Sequence, residues 1–272
     1  MEILMKIHGL QKMTLLDFPG HVACTVFLGG CDLRCPYCHN YELATGKAPA
    51  VMEEEELFSF LAKRTGLLDG VAITGGEPCL HQDLPDLLER IRGMGFAVKL
   101  DTNGTHPDML RAVLSRGLAD YVAMDIKNSP GKYALTTGTD REPEMGRGSE
   151  TGRGPETDRG PETGRGPEMG WERTVNAEPA FVGQIRESVR LLMESGIDYE
   201  FRTTVVDELH QTEDFEEIGR WIKGAKRYFL QCFADRDTVP YAGLSAPSKA
   251  KLEACAAIVR PFVEDVQIRG ID

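Results

Sequence analysis

The 272-residue chain is poor in aromatic residues, at 7%, and its 31 lysines and arginines are outnumbered by 43 aspartates and glutamates. The net charge of −12 argues against a phosphate-binding surface as its main business, because nucleic acid is held by neutralising phosphates. No stretch approaches the ~18 consecutive apolar residues of a membrane span. The first residues, MEILMKIHGLQKM, lack the apolar run and small-residue cleavage site of a secretory signal. These absences predict a cytoplasmic protein with neither nucleic acid nor membrane as partner. In that compartment disulfides are rare, and clustered cysteines point to metal or catalysis. A hydrophobic content of 41% is enough for the core of one large α/β domain or two small ones.

Three of the seven cysteines fall within CDLRCPYCHN, Cys31 to Asn40. The segment has three readings. Cys35 and Cys38 form a C-x-x-C dithiol, and with His39 they spell C-x-x-C-H, the attachment signal of a c-type haem. Cys31, Cys35 and Cys38 together make C-x3-C-x2-C, close enough to hold an iron–sulfur cluster. The haem is normally attached outside the cytoplasm, and neither of the first two readings uses Cys31. The cluster uses all three thiols. A zinc site of Cys31, Cys35, Cys38 and His39 stays open as an alternative, although the adjacent Cys38 and His39 would struggle to bind one ion. Cys24, Cys79, Cys232 and Cys255 have no metal-like spacing. Cys24 and Cys232 fall in apolar runs, where free cysteine behaves as a small hydrophobe, while Cys79 falls near the GGEP loop.

From Met145 the chain repeats MGRGSE, TGRGPE, TDRGPE and TGRGPE. With its flanks, residues 139–179, this segment has almost nothing to bury and is expected to be a disordered insertion into a single domain. The remaining chain alternates. Apolar β-branched runs at His21–Phe27, Gly70–Thr74, Phe96–Leu100, Asp120–Ile126, Tyr199–Val206, Arg227–Phe233 and Val263–Ile268 predict strands. Amphipathic stretches at Glu53–Arg64, Asp83–Met94, Pro107–Arg116, Ala180–Ser195, Thr212–Lys223 and Pro247–Val259 predict helices. Such alternation predicts right-handed βαβ units, about six of them, in an incomplete TIM-like (β/α)6 barrel. Polar or glycine-rich loops follow the strands: the cysteine loop, GGEP, DTNG, MDIK, TTVVDELH and QCFADRD. In parallel α/β folds such loops converge on one face, which carries the site.

Cys31-x3-Cys35-x2-Cys38 followed by Gly75-Gly76-Glu77-Pro78 resembles the radical S-adenosylmethionine (SAM) enzymes. DFPGHVACTVFLGGCDLRCPYCHN, ITGGEP, DTNG, MDIK and YEFRTTVV resemble the glycyl-radical-enzyme activases, first those of anaerobic ribonucleoside-triphosphate reductase and then those of pyruvate formate-lyase. The resemblance covers nearly the whole chain outside the insertion. It implies a [4Fe–4S] cluster held by Cys31, Cys35 and Cys38. Three thiolates bind three of the four irons, and SAM chelates the fourth through its amino and carboxylate groups. One electron from the reduced cluster then breaks the S–C5′ bond. The implied substrate is a backbone glycine of a glycyl radical enzyme, and the electron comes from a low-potential donor such as flavodoxin or ferredoxin.

The resemblance also assigns residues. Tyr37 offers its ring and backbone to adenine, or simply packs the loop. Gly75 and Gly76 meet the methionyl amino group, with Glu77 nearby. Lys127 meets the SAM carboxylate, and Asp125 the ribose or a neighbouring cation. Asp101, Thr102, Asp125 and the Met124 carbonyl make an oxygen-rich monovalent-cation site. Asn103 is a turn residue or a ligand. Arg202 and His210 flank the fifth strand, and His210 either reaches the ribose or is a solvated loop residue. His8, His21, His81 and His106 are given no role. Two rivals stand beside the activase: a radical SAM enzyme acting on a small molecule, such as a deazapurine-forming synthase, and a non-enzymatic iron–sulfur or thiol electron carrier.

Overall fold

The computed structural model describes residues 5–139 and 178–271. The insertion expected at 139–179 therefore lies almost wholly outside the described residues. In chain order the elements are β1 (Lys6–Thr14), β2 (Ala23–Leu28), α1 (Tyr41–Ala44), β3 (Met52–Glu53), α2 (Glu54–Ala62), β4 (Gly70–Gly75), α3 (Leu84–Gly93), β5 (Ala97–Thr102), α4 (Pro107–Ser115), β6 (Tyr121–Asp125) and α5 (Tyr133–Thr137). After residue 178 come α6 (Val182–Glu194), β7 (Asp198–Val205), α7 (Asp214–Trp221), β8 (Arg227–Cys232), α8 (Lys249–Val259) and β9 (Asp265–Arg269).

One sheet runs in the order β3-β1-β2-β4-β5-β6-β7-β8-β9. From β2 onward every neighbouring pair is parallel. Six strand–helix units run from β2 to α8, and β9 adds a seventh parallel strand. The fold is the α/β class and partial (β/α)6 barrel expected, with one addition. β1 pairs antiparallel with β2 and β3, a flank that the sequence did not suggest. Its residues, KIHGLQKMT, are mostly polar and part-exposed, so they carry no alternating apolar signal.

Side-chain alternation divides the parallel strands between two faces. Val98, Leu100, Val122 and Met124 enter the main core with Leu84, Leu87, Leu88 and Ile91 of α3. The intervening positions, among them Lys99, Asp101, Asp125, Glu200 and Arg202, exchange hydrogen bonds on the other face. Phe18, from the β1–β2 loop, packs with Ala23, Tyr121 and Ala123 at the strands' N-terminal ends. The C-terminal ends are left for the loops. No described helix is long and apolar enough to cross a membrane.

Candidate active site

The cysteine loop leaves the end of β2 and is held from three sides. Gly30 N–H donates to the Leu43 carbonyl at 2.8 Å, and Arg34 N–H to Thr137 at 2.9 Å. Gly138 ends α5 at φ +68°, and a Cβ there would lie 2.3 Å from the Arg34 carbonyl oxygen, so glycine is required on both counts. Leu33, Cys35 and Tyr37 pack against Val206, Leu209, Phe233, Val239 and Leu244. His39 stacks on Phe233 at 5.7 Å, and its Nε2 meets the Ala234 carbonyl at 2.7 Å. It is thereby engaged away from the thiols.

The two glycines of GGEP serve an equally close approach. Gly76 N–H donates to Leu28 at 2.9 Å and Glu77 N–H to Gly30 at 2.8 Å. A Cβ on Gly75 would lie 2.3 Å from the Leu28 carbonyl oxygen, and one on Gly76 only 1.9 Å from that of Gly30. The glycines lock β4's loop onto the strand that carries the cysteines. They also line the cleft.

That cleft, of about 290 Å³, gathers Cys31, Cys35, Cys38, Tyr37, Gly75, Gly76, Asp101, Thr102, Asp125 and Lys127. Ten candidate residues from four loops and strand ends thus meet at one place. Asn103, Arg202, Thr204 and Gln231 join them. Arg202 is the addition with most consequence. Its Nε donates to Asp125 at 2.9 Å and its Nη1 lies 3.4 Å from Asp101, while Lys127 Nζ is 2.8 Å from Asp125. Lys99 pairs with Asp101. Burial pushes the Asp125 carboxyl up, but Arg202 and Lys127 outweigh it and hold it well below the ordinary carboxylate range.

Three cations therefore face two carboxylates. That balance corrects the expected cation site: Asp101 and Asp125 are already matched by protein cations, and Thr102 donates its hydroxyl to Glu77 at 2.7 Å. A monovalent ion beside Asp101, Thr102, Met124 and Asp125 is not supported. Lys127 and Arg202 stand at the cleft wall beside those carboxylates, with Lys99 behind them.

Glu77 and His210 stand behind the cleft rather than in it. Glu77 is fully buried and accepts from Cys79 N–H at 2.9 Å, Thr102 Oγ1 at 2.7 Å and Asn103 N–H at 2.6 Å. Burial raises its carboxyl to about 7 against these bonds. It ties the loops after β4 and β5 together. His210 is fully buried too, not solvated. Its Nε2–H donates to the Lys127 carbonyl at 2.8 Å, and its Nδ1 accepts from Val206 N–H at 3.1 Å. Tyr133 OH accepts from Lys127 N–H at 3.0 Å. His210 and Tyr133 thus clamp the backbone that presents Lys127.

The three thiols line one cleft. Burial raises all three, Cys35 to about 12 and Cys31 further still, with Glu77 adding to the latter. A buried thiolate needs a cation, which iron supplies. Among the described residues no three thiol, imidazole or carboxyl groups converge tightly enough for one metal ion. A cubane does not ask for that, since each thiolate binds a different iron. Three thiols on one loop are a donor set that a cubane can use. The chain matches the Radical SAM superfamily over residues 25–142, the span from β2 past β6 that holds all three cysteines and both glycines. That matched span is a radical SAM domain.

A Methanocaldococcus jannaschii protein named as a candidate glycyl-radical enzyme activating enzyme is 28% identical over 98% of this chain and 96% of its own length. The pyruvate formate-lyase-activating enzyme of Clostridium pasteurianum is 34% identical over 45% of this chain, which spans 52% of that protein. Streptococcus suis SuiB, solved bound to S-adenosylmethionine, superposes with a TM-score of 0.55 over 90% of this chain and 52% of its own, at 12% identity. At that identity the likeness speaks for the fold. A radical SAM enzyme carries a [4Fe–4S] cluster and uses SAM, and the cleft fits both. Its three thiols suit the cluster, Lys127 and Arg202 at its wall offer donors to a carboxylate, and the Tyr37 hydroxyl is buried without a protein partner.

The clamp on this radical SAM site has a pH signature. Burial lowers the His210 pKa, with its bonds to Lys127 and Val206 opposing. The unfolded chain, where histidine titrates near ~6.5, then binds the proton more readily, and stability rises with pH. His210 should stabilise the fold fully above that value and progressively less below it. Buried Glu77, raised to about 7, works the other way in the same window, so the test is the difference: from pH 7.5 to 5.5 the denaturant midpoint of the native protein should move less favourably than that of His210→Gln. Equal slopes would refute the clamp.

Proposed function

We propose that this chain is a glycyl-radical-enzyme activase. It cleaves SAM reductively and removes a hydrogen atom from a backbone glycine of a partner enzyme, which we take to be an anaerobic ribonucleoside-triphosphate reductase. The observation that carries the reading is the 28% identity to the candidate activating enzyme along 98% of this chain and 96% of that protein. The reductase as partner rests on the resemblance in DFPGH and YEFRTTVV.

In this reading Cys31, Cys35 and Cys38 would hold the cluster, which would supply one electron, taken from a low-potential donor, for cleavage of SAM. The chain's own residues bind and orient. Lys127 and Arg202, neutralised only in part by Asp101 and Asp125, hold the SAM carboxylate. Tyr37 and the backbone of Gly75 and Gly76, all at the cleft wall, face the rest of the molecule. Burial of the cysteine loop under Phe233, Val239 and Leu244 keeps water from the reacting atoms.

The test is anaerobic mixing of reconstituted protein, SAM, dithionite and the reductase. A doublet electron paramagnetic resonance signal should appear on the reductase and vanish when its target glycine is alanine. Release of 5′-deoxyadenosine with a small molecule, and no doublet on any glycyl radical enzyme, would replace this reading by the small-molecule rival.

A further inference from the structure

Asn103, the residue after β5, is buried and fixed at three points. Its backbone N–H donates to Glu77 at 2.6 Å. Its side-chain Oδ1 accepts from Thr105 N–H at 2.9 Å and from Thr105 Oγ1 at 2.6 Å. Those two donors settle which end of the amide is oxygen. Nδ2 is left facing Cys31 Sγ at 3.7 Å and Asp32 Oδ1 at 2.9 Å. The Asp32 oxygen itself lies 3.8 Å from the same sulfur, and its second oxygen is 3.5 Å from His106 Nε2. Leu33 N–H points at that sulfur as well, at 3.4 Å.

Resting on Cys31 as a cluster ligand, we propose that Asn103 sets the cluster's reduction potential, by donating an N–H···S bond to the Cys31 thiolate and by drawing off the neighbouring Asp32 charge. One-electron reduction adds negative charge that the thiolates share. A donor to sulfur is therefore worth more in the reduced state and raises the potential, and a nearby carboxylate lowers it. Asn103 acts in the favourable direction on both, and the Thr105 contacts keep its amide from turning.

The experiment is a dithionite titration of anaerobically reconstituted protein, following the reduced cluster's paramagnetic signal, with iron and sulfide counted for each sample. Dithionite supplies the one electron. Asn103→Asp keeps the size and the acceptor for Thr105, but it removes the donor and adds charge. Its reduced-to-oxidised ratio at the native midpoint should fall at least tenfold, a shift of about 59 mV or more to negative potential. Thr105→Val, which loosens the amide and leaves Asn103 in place, should shift the same way by less. A purely structural role would move stability and leave the midpoint where it was. Midpoints unchanged or moved positive, with full iron in the variants, overturn the proposal and leave the radical SAM site standing. If Asn103→Asp assembles no cluster, the Thr105→Val midpoint decides alone. A native protein that assembles no cluster overturns both.

Discussion

Cys31→Ala, Cys35→Ala and Cys38→Ala are each expected to reduce bound iron from about four atoms per chain to well below one after anaerobic reconstitution. Formation of 5′-deoxyadenosine should drop to background in all three. In the proposed assignment each thiol is one of three anchors on a single loop, and no fourth cysteine lines the cleft. A cubane held by two protein ligands would leave two irons open instead of one. Cys24→Ala and Cys255→Ala remove small buried groups of the main core and should keep both iron and activity. Iron analysis of the purified variants reads the outcome directly. Native-like iron in any loop variant, or stoichiometric zinc without iron in the native protein, would defeat the cluster assignment.

Gly76→Ala should be nearly as damaging, although it removes no ligand. The new Cβ would lie 1.9 Å from the Gly30 carbonyl oxygen and 2.7 Å from its carbon. Backbone stands on both sides, so no side chain can rotate away. Relief requires moving Gly30, the neighbour of Cys31, or Glu77, which bridges to Thr102 and Asn103. Overpacking of this kind costs about 1–3 kcal/mol, and here the displacement falls on the cysteine loop. Cluster incorporation should fall at least tenfold. Gly93→Ala and Gly183→Ala are the controls. Both lie in helices with nothing within 4 Å of the added carbon, and alanine there should be neutral or stabilising by up to about 1 kcal/mol. If Gly76→Ala assembles its cluster and cleaves SAM at the native rate, the close packing of the two loops is not what places the cysteines.

Much of the fold could be read from residue spacing because the pattern and the packing have one cause. Leu84, Leu87, Leu88 and Ile91 recur at helical intervals, and all four are buried beneath α3, which spans Leu84–Gly93 where Asp83–Met94 was expected. The site's general position followed from topology, since loops after parallel strands must meet. The roles of single residues were less legible. Glu77 follows the cleft residue Gly76 and His210 lies in the loop after β7, yet their side chains turn toward partners supplied by other loops, at Asn103 and Lys127. The cation site misled for a related reason. Its two carboxylates stand in the DTNG and MDIK motifs, whereas Lys99 and Arg202, which neutralise them, lie inside the strands β5 and β7. Strand parity offered a clue: Arg202 shares a face with Glu200, and Lys99 shares one with Asp101. The antiparallel β1 had no such signal in its own residues.

The wall around the cysteine loop also has a date of arrival. His39 and Ala234, joined across the loop by one hydrogen bond, are 195 residues apart. Val206, Phe233, Val239 and Leu244, which cover Leu33, Cys35 and Tyr37, are likewise made late. At ~5–20 residues per second a ribosome takes about 10–40 s to span that interval. For all of that time the three thiols are outside the tunnel or entering it, with their cover unmade. A cluster inserted on the nascent chain would sit in an open hairpin of backbone, exposed to solvent and oxidant. The same loop on the released chain is already walled. If the proposed cluster is loaded onto a covered loop, loading follows translation, and a ribosome that stalls before β8 leaves the three cysteines without that cover.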